Sequence, residues 1–336
     1  MSNPNFDTLV SHTLKNYRGQ LADNITNHQV LWMQLKERGF IREDEGGTSI
    51  VETLLVERNS TVSSYSGYDI IDTSPQGGMT AAEFDWKQVA GSVTISGEEE
   101  FKNSGSKTKV INLLQSKITQ LELSMMLEIN RQLQADGTGN GGKDITGLAL
   151  AVENGADGFS TYGGINSSTF AYWRNNFLDS VDIDLSDFAT LGRENYLNSL
   201  RTLYNSCSRG KVKPTVIISD QRLFELYEQT LTVNERFMDM KLGDAGFLNL
   251  MFKATPWVFD DDMPGASLST TGDDHQLVML NADFLKFVMG KGKNFVVTDF
   301  QRPENQDAKV SQILLYGNLT CANRQRQGRM FVDIVA

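Results

Sequence analysis

No stretch of this sequence approaches the roughly 18 consecutive apolar residues that a membrane-crossing helix requires; the longest runs are short, such as residues 148–152. Residues 1–6 hold neither a basic segment nor an apolar one, so no secretory leader is expected. Cysteine is scarce too. Cys207 and Cys321 are the only two, too few for a disulfide framework, which points to a reducing compartment. The three histidines, His12, His28 and His275, share no metal-ligand spacing with one another or with either cysteine. Basic charge is in deficit, with 31 Lys and Arg against 42 Asp and Glu and a net charge of -11, which argues against general coating of nucleic acid.

What is present is an ordinary globular composition, 40% hydrophobic and 22% charged over 336 residues, enough to bury a substantial core in one large domain or two modest ones. Residues 7–38 carry apolar positions at helical spacing but few aliphatics, which predicts an arm ending near Gly39. Residues 49–56 and 89–96 are β-branched runs suited to strands. The segment between them is turn-rich and poor in large aliphatics, and residues 45–100 hold ten acidic groups against only Arg58 and Lys87. A polar, acidic hairpin of this kind is marginal alone in water, so another chain is expected beneath it.

The clearest periodic signal lies at residues 107–134. Val110, Leu114, Ile118, Leu121, Met125, Ile129 and Leu133 recur at steps of three and four, with no proline or glycine. The spacing predicts a helix about 40 Å long, ended by the glycine-rich residues 136–142. Beyond it, residues 194–203 read as helix, residues 215–219 as a buried strand, Asp220 as the cap of a further helix, and residues 308–320 as a long strand. Strands and helices mix without the alternation of a doubly wound sheet, and no repeat recurs, so the class is α+β. Charge is uneven: residues 286–336 hold eight basic groups against four acidic ones.

Catalytic motifs fail on inspection. Residues 137–144 match the spacing of GxGxxG and of GxxxxGK, yet a helix precedes them instead of a strand, and Asp144 stands where magnesium would need a hydroxyl. A P-loop-like nucleotide-binding enzyme therefore remains only as an unfavoured alternative. Asp260, Asp261 and Asp262 lack the glycine and glutamate of a calcium loop and read as an exposed turn. No GxSxG occurs. No catalytic residue, metal or cofactor is expected.

Seven segments occur in an order that carries a resemblance: residues 50–54 (IVETL), 65–69 (YSGYD), 81–88 (AAEFDWKQ), 95–99 (ISGEE), 143–148 (KDITGL), 162–166 (YGGIN) and 173–175 (WRN). Together with arm, acidic hairpin, long helix and final long strand, this order resembles the major capsid proteins of tailed bacteriophages, with the Hong Kong 97-type shell fold. The resemblance implies an N-arm at 1–44, an extended E-loop at 45–102, and the spine helix of a peripheral (P) domain with its following loop at 103–145. It implies a mainly axial (A) domain at 146–285 and, at 286–336, long P-domain strands with a return to the A-domain. It also implies pentamers and hexamers in a shell around double-stranded DNA held by non-specific contacts, expansion of a procapsid, and a portal protein. A decoration protein is an open possibility, and the short arm points to a separate scaffolding protein. The implied inter-subunit contacts are Glu52, Glu57, Arg58, Tyr65, Tyr68, Trp86 and Lys87. Arg324, Arg326 and Arg329 are implied either to face DNA or to pair with acidic loops of neighbours. Some members cross-link E-loop lysine to asparagine; Lys87 is the only lysine in residues 45–100 and sits away from the hairpin tip, so no cross-link is expected. An encapsulin-like nanocompartment is the alternative within the same fold.

Overall fold

The computed structural model describes residues 30–37, 41–103, 107–155, 158–184, 192–231, 249–263 and 275–335. The expected N-arm therefore lies outside the described residues except at helix α1 (Val30–Glu37) and strand β1 (Ile41–Asp44). Next come β2 (Ile50–Leu55), β3 (Met79–Phe84), β4 (Lys87–Ser96), α2 (Gly97–Asn103) and α3 (Lys107–Gln134). The middle of the chain adds α4 (Leu148–Ala151), β5 (Thr161–Tyr162), β6 (Ile165–Asn166), β7 (Asn176–Asp184), α5 (Arg193–Cys207), β8 (Val216–Ser219) and α6 (Gln221–Thr230). The remainder supplies β9 (Asn249–Phe252), β10 (Thr255–Phe259), β11 (His275–Leu280), β12 (Leu285–Gly290), β13 (Val296–Val297), β14 (Ala308–Cys321) and β15 (Gly328–Val335).

Two sheets organise these elements. In the first, β14 is the long central strand. One edge pairs antiparallel with β4, from Ala308 opposite Ser96 to Gly317 opposite Lys87. The other edge takes β13 and then β12, and β12 pairs in parallel with β1. The second sheet has the order β7-β15-β11-β8-β10-β9. Its central strand β8 is buried along its length, and apolar from Val216 to Ile218, because both faces are covered. Val216 and Ile218 join the core shared with the first sheet, whereas Ile217 faces a second core under α5 and α6. Each such fully buried aliphatic contributes about 1.5–3 kcal/mol.

Helix α3 lies along the first core. Ile118, Met125, Ile129 and Leu133 are buried, and the Leu121 and Met125 side chains sit against the backbone of Gly91 in β4. Its last turns reach the second sheet. Asn130 Nδ2 donates to Asp260 Oδ1 at 3.0 Å and to Asp262 Oδ2 at 2.6 Å, while Gln134 Nε2 donates to Asp260 Oδ2 at 2.7 Å. Asp260 is thus buried at a joint, and the exposed turn read from the sequence holds only for Asp261; burial raises the Asp260 carboxyl above the usual range. Asp220 caps α6 as expected, accepting from Leu223 N at 2.8 Å, and its second oxygen meets His275 Nδ1 at 2.6 Å.

Gly147 marks where the chain turns back over the end of α3. A Cβ there would lie 2.4 Å from the carbonyl oxygens of Gln132 and Ala135 and 2.5 Å from that of Leu133. Those are backbone atoms of a helix terminus and cannot swing aside. Gly147→Ala is expected to destabilise the protein by about 3 kcal/mol or more, the upper part of the overpacking range, read as a lowered urea midpoint.

Both thiols are inside. Burial pushes Cys207 up to about 12 and Cys321 up to about 11. Because the thiolate is the reactive form, the native protein at pH 8 is expected to leave both unmodified by a disulfide reagent over minutes, and to release two equivalents once denatured.

Candidate functional site

The hairpin formed by β2 and β3 is anchored at one end and free at the other. Alternation along β2 places Ile50, Glu52 and Leu54 inward and Val51, Thr53 and Leu55 outward. Phe84 of β3 meets the Tyr162 ring edge-on at 5.0 Å, and Glu83 N donates to Gly163 O at 2.9 Å. Gly163 has φ +58° with Phe84 and Ala82 packed where a side chain would stand, so the β5–β6 turn can approach the hairpin only as glycine. Trp86 Nε1 donates to Gly47 O at 3.1 Å, and Lys87 Nζ donates to Gly142 O.

Glu52 sits in this root and is buried, with Lys286 Nζ at 3.2 Å and Arg42 Nη1 at 3.3 Å. The expectation that it contacts another subunit is therefore corrected: inward alternation turns its carboxylate onto β12 and β1 of its own chain. Trp86 and Lys87 are half-buried at the same root.

The tip behaves differently. Val56 N donates to Gly78 O at 2.9 Å, and beyond that point, among the described residues, the hydrogen bonds of residues 57–77 close among residues 57–78. Glu57, Arg58, Tyr65 and Tyr68 are all exposed there. Eight of the twelve exposed large hydrophobic side chains of the described residues fall within residues 51–79, including Tyr68 at 105% and Ile70 at 98% relative exposure. Apolar side chains concentrated on one exposed element have the composition of an interaction surface. Asp72 is held below the usual carboxylate range by the backbone and side chain of Ser74.

The basic tail is corrected as well. Arg324 is fully buried, donating to Ala151 O at 2.8 Å, Leu150 O at 3.1 Å, Ser167 Oγ at 2.5 Å and Glu153 Oε2 at 2.8 Å, with Tyr162 stacked at 5.0 Å. Arg329 is buried against Val152 O and Gln276, and burial lowers its guanidinium to about 10. Neither offers charge to DNA or to a neighbour. Only Arg326 is partly exposed, with Nη1 3.5 Å from Cys207 O.

The glycine-rich loop after α3 forms no phosphate cradle. It follows a helix, Asn140, Gly141 and Gly142 have left-handed φ, and Asp144 is paired with Arg131 at 2.9 Å. Among the described residues, no three His, Cys, Asp or Glu side chains group as a metal site, and no helix is long and apolar enough to cross a membrane.

No protein-family model matches this sequence, and no curated protein does. Solved structures do match in three dimensions. The cyanophage A-1(L) capsid asymmetric unit aligns over 88% of this chain and 91% of its own, with a TM-score of 0.60 at 15% identity. The capsid of an empty GTA particle aligns over 89% of both chains with a TM-score of 0.55 at 10% identity. Mycobacterium phage Bobi aligns over 89% of this chain and 90% of its own, with a TM-score of 0.52 at 8% identity. The chain thus has the fold of phage capsid shells, the Hong Kong 97-type fold that the order of its segments resembles.

Proposed function

We propose that this chain is a major capsid protein, many copies of which form the icosahedral or prolate head shell of a tailed double-stranded DNA phage. The observation that carries the reading is the hairpin of residues 50–84, rooted in its own subunit but presenting an apolar, acidic tip that none of the described residues covers. A shell protein needs such an element, because arms and loops exchanged among symmetric neighbours close rings and then a cage. In this reading residues 1–44 are the N-arm and 45–102 the E-loop. Residues 103–145 are the P-domain spine helix with its loop, 146–285 mainly the A-domain, and 286–336 the long P-domain strands with their return. The shell assembles from pentamers and hexamers in the host bacterial cytoplasm, with a separate scaffolding protein and a portal, and becomes part of the virion. A decoration protein is compatible with the same surface. Packaged DNA touches the inner face without sequence preference, and expansion is a change in subunit packing without bond chemistry. The chain performs no catalysis in this role.

Negative-stain electron microscopy of the purified chain, alone and co-expressed with its candidate scaffold, tests the reading. Closed shells of uniform size are expected. Monodisperse small species under both conditions overturn it.

A further inference from the structure

Residues 195–219 contain Arg201, Arg209, Lys211 and Lys213 and no acidic residue, in a chain whose net charge is -11. The topology gathers these cations with two more. Strands β8, β10 and β15 all run in the same direction within the second sheet. The segments that lead into them therefore emerge at one end: residues 208–215 before β8, the Lys253 turn before β10, and Arg326 before β15. The C-terminus of α5 points to that end as well, with Arg326 Nη1 reaching Cys207 O. Lys253 Nζ lies 4.9 Å from the Tyr204 ring centre and donates to Asn205 Oδ1 at 3.1 Å; partial burial and the nearby Arg201 lower its pKa.

Arg201, Arg209, Lys211, Lys213 and Lys253 are exposed, and Arg326 is half-exposed. None of the six forms an ion pair among the described residues, although Arg42, Arg131, Lys286 and Lys291 do. A helix C-terminus suits cations, through its unpaired carbonyls, but six unpaired ones at one sheet end repel each other. On the hairpin, Glu57, Asp69, Asp72 and Glu83 are exposed and lack a cationic partner in the same sense.

We propose that this basic sheet end is the surface on which the acidic hairpin of a neighbouring copy docks. The inference rests on the shell reading and deepens it by naming the receiving side. A protein partner fits better than a polyanion, because the carboxylates share the hairpin with exposed Tyr65, Tyr68, Ile70 and Ile71, which a phosphate backbone would leave in water. Each subunit also carries one hairpin and one basic end, the self-complementary stoichiometry that ring closure requires. Opposite charges set register and partner choice at such a contact, and they do so less effectively at high salt.

A charge exchange tests this. Arg209→Glu/Lys211→Glu/Lys213→Glu is expected to lower shell yield at least tenfold at 0.1 M salt. Adding Glu57→Lys/Glu83→Lys, whose carboxylates hold no hydrogen bond among the described residues, is expected to recover at least a third of it. Circular dichroism verifies that both variants are folded. Wild-type yield from the first variant, or no recovery in the second when it is folded, overturns the proposal. Intact shells that retain less DNA overturn it too, and assign the patch to the polyanion. Should the unaltered chain form no shells, the shell reading fails separately. The docking is then read by carbodiimide coupling of mixed ¹⁴N and ¹⁵N copies. A bond between Lys211 or Lys213 of one copy and Glu57, Asp69 or Asp72 of another supports docking, and its absence overturns it.

Discussion

Replacing residues 57–77 with Asn-Gly is expected to abolish shell formation while leaving the unfolding midpoint of the subunit unchanged or slightly raised. Asn-Gly supplies the two left-handed residues of a tight hairpin turn, and Val56 and Gly78 already face each other across the ladder at 2.9 Å. Among the described residues the body loses no hydrogen bond, because those of the removed residues close within the tip, and the tip's large apolar side chains are exposed. Shortening the loop lowers its closure entropy, by about 0.6 kcal/mol per halving of length, so any stability change is in the favourable direction. What disappears is the surface available to a neighbour, about five large apolar side chains, each able to contribute roughly 1.5–3 kcal/mol if buried on assembly. Because every 1.4 kcal/mol or so is about tenfold in an association constant, losing even part of that sum weakens assembly by orders of magnitude. Electron microscopy and sedimentation of the shortened chain, set beside its thermal melt, give the result. Shells at wild-type yield would show that the hairpin is not the assembly element.

The separation of tip from root explains which features were legible in the sequence. Helix α3 and strands β8 and β14 follow from local periodicity and β-branched runs, and their observed bounds lie within one residue of the expected ones. The Asp220 cap likewise needs only an acceptor three residues before a helical N–H. The hairpin was legible as a segment that could not fold alone, yet not the direction in which each of its side chains faces. Glu52 shows the difference: one step along β2 separates an outward carboxylate from one held by Lys286 and Arg42 of distant strands. Arg324 and Arg329 misled for a related reason. Arginine close to other polar residues reads as solvated, and only the pairing of β15 with β7 and β11 reveals that the polar groups of residues 150–153 and 167–175 converge on it. The absence of acid from residues 195–219 went unread beside the basic excess at 286–336, and its meaning needed the sheet order that brings Lys253 and Arg326 to the same end.

Arg324→Ala is expected to destabilise the subunit by about 3–5 kcal/mol, the range for breaking a buried ion pair from one side, and by far more than any tip substitution. The guanidinium is the joint between the sheets: it stands between β14 and β15 and donates to residues 150, 151, 153 and 167, drawing the end of α4 and the segment after β6 onto one side chain. Removing it strands the Glu153 carboxylate, 9% exposed, with Ser160 as its remaining donor. It also leaves two main-chain carbonyls without their partner and opens the space under the Tyr162 ring. Arg324→Lys is expected to recover little, since an ammonium cannot reproduce the planar fork that reaches three of these acceptors together. Arg324→Met combined with Glu153→Gln is expected to regain at least half of the loss, because it removes the isolated charge and fills the volume with apolar atoms. Urea unfolding of the four proteins distinguishes a buried network from a surface arginine: a loss below 1 kcal/mol for Arg324→Ala contradicts the network. The same series separates folding from assembly, because a joint inside the subunit should impair both, whereas the tip and the basic sheet end should impair assembly alone.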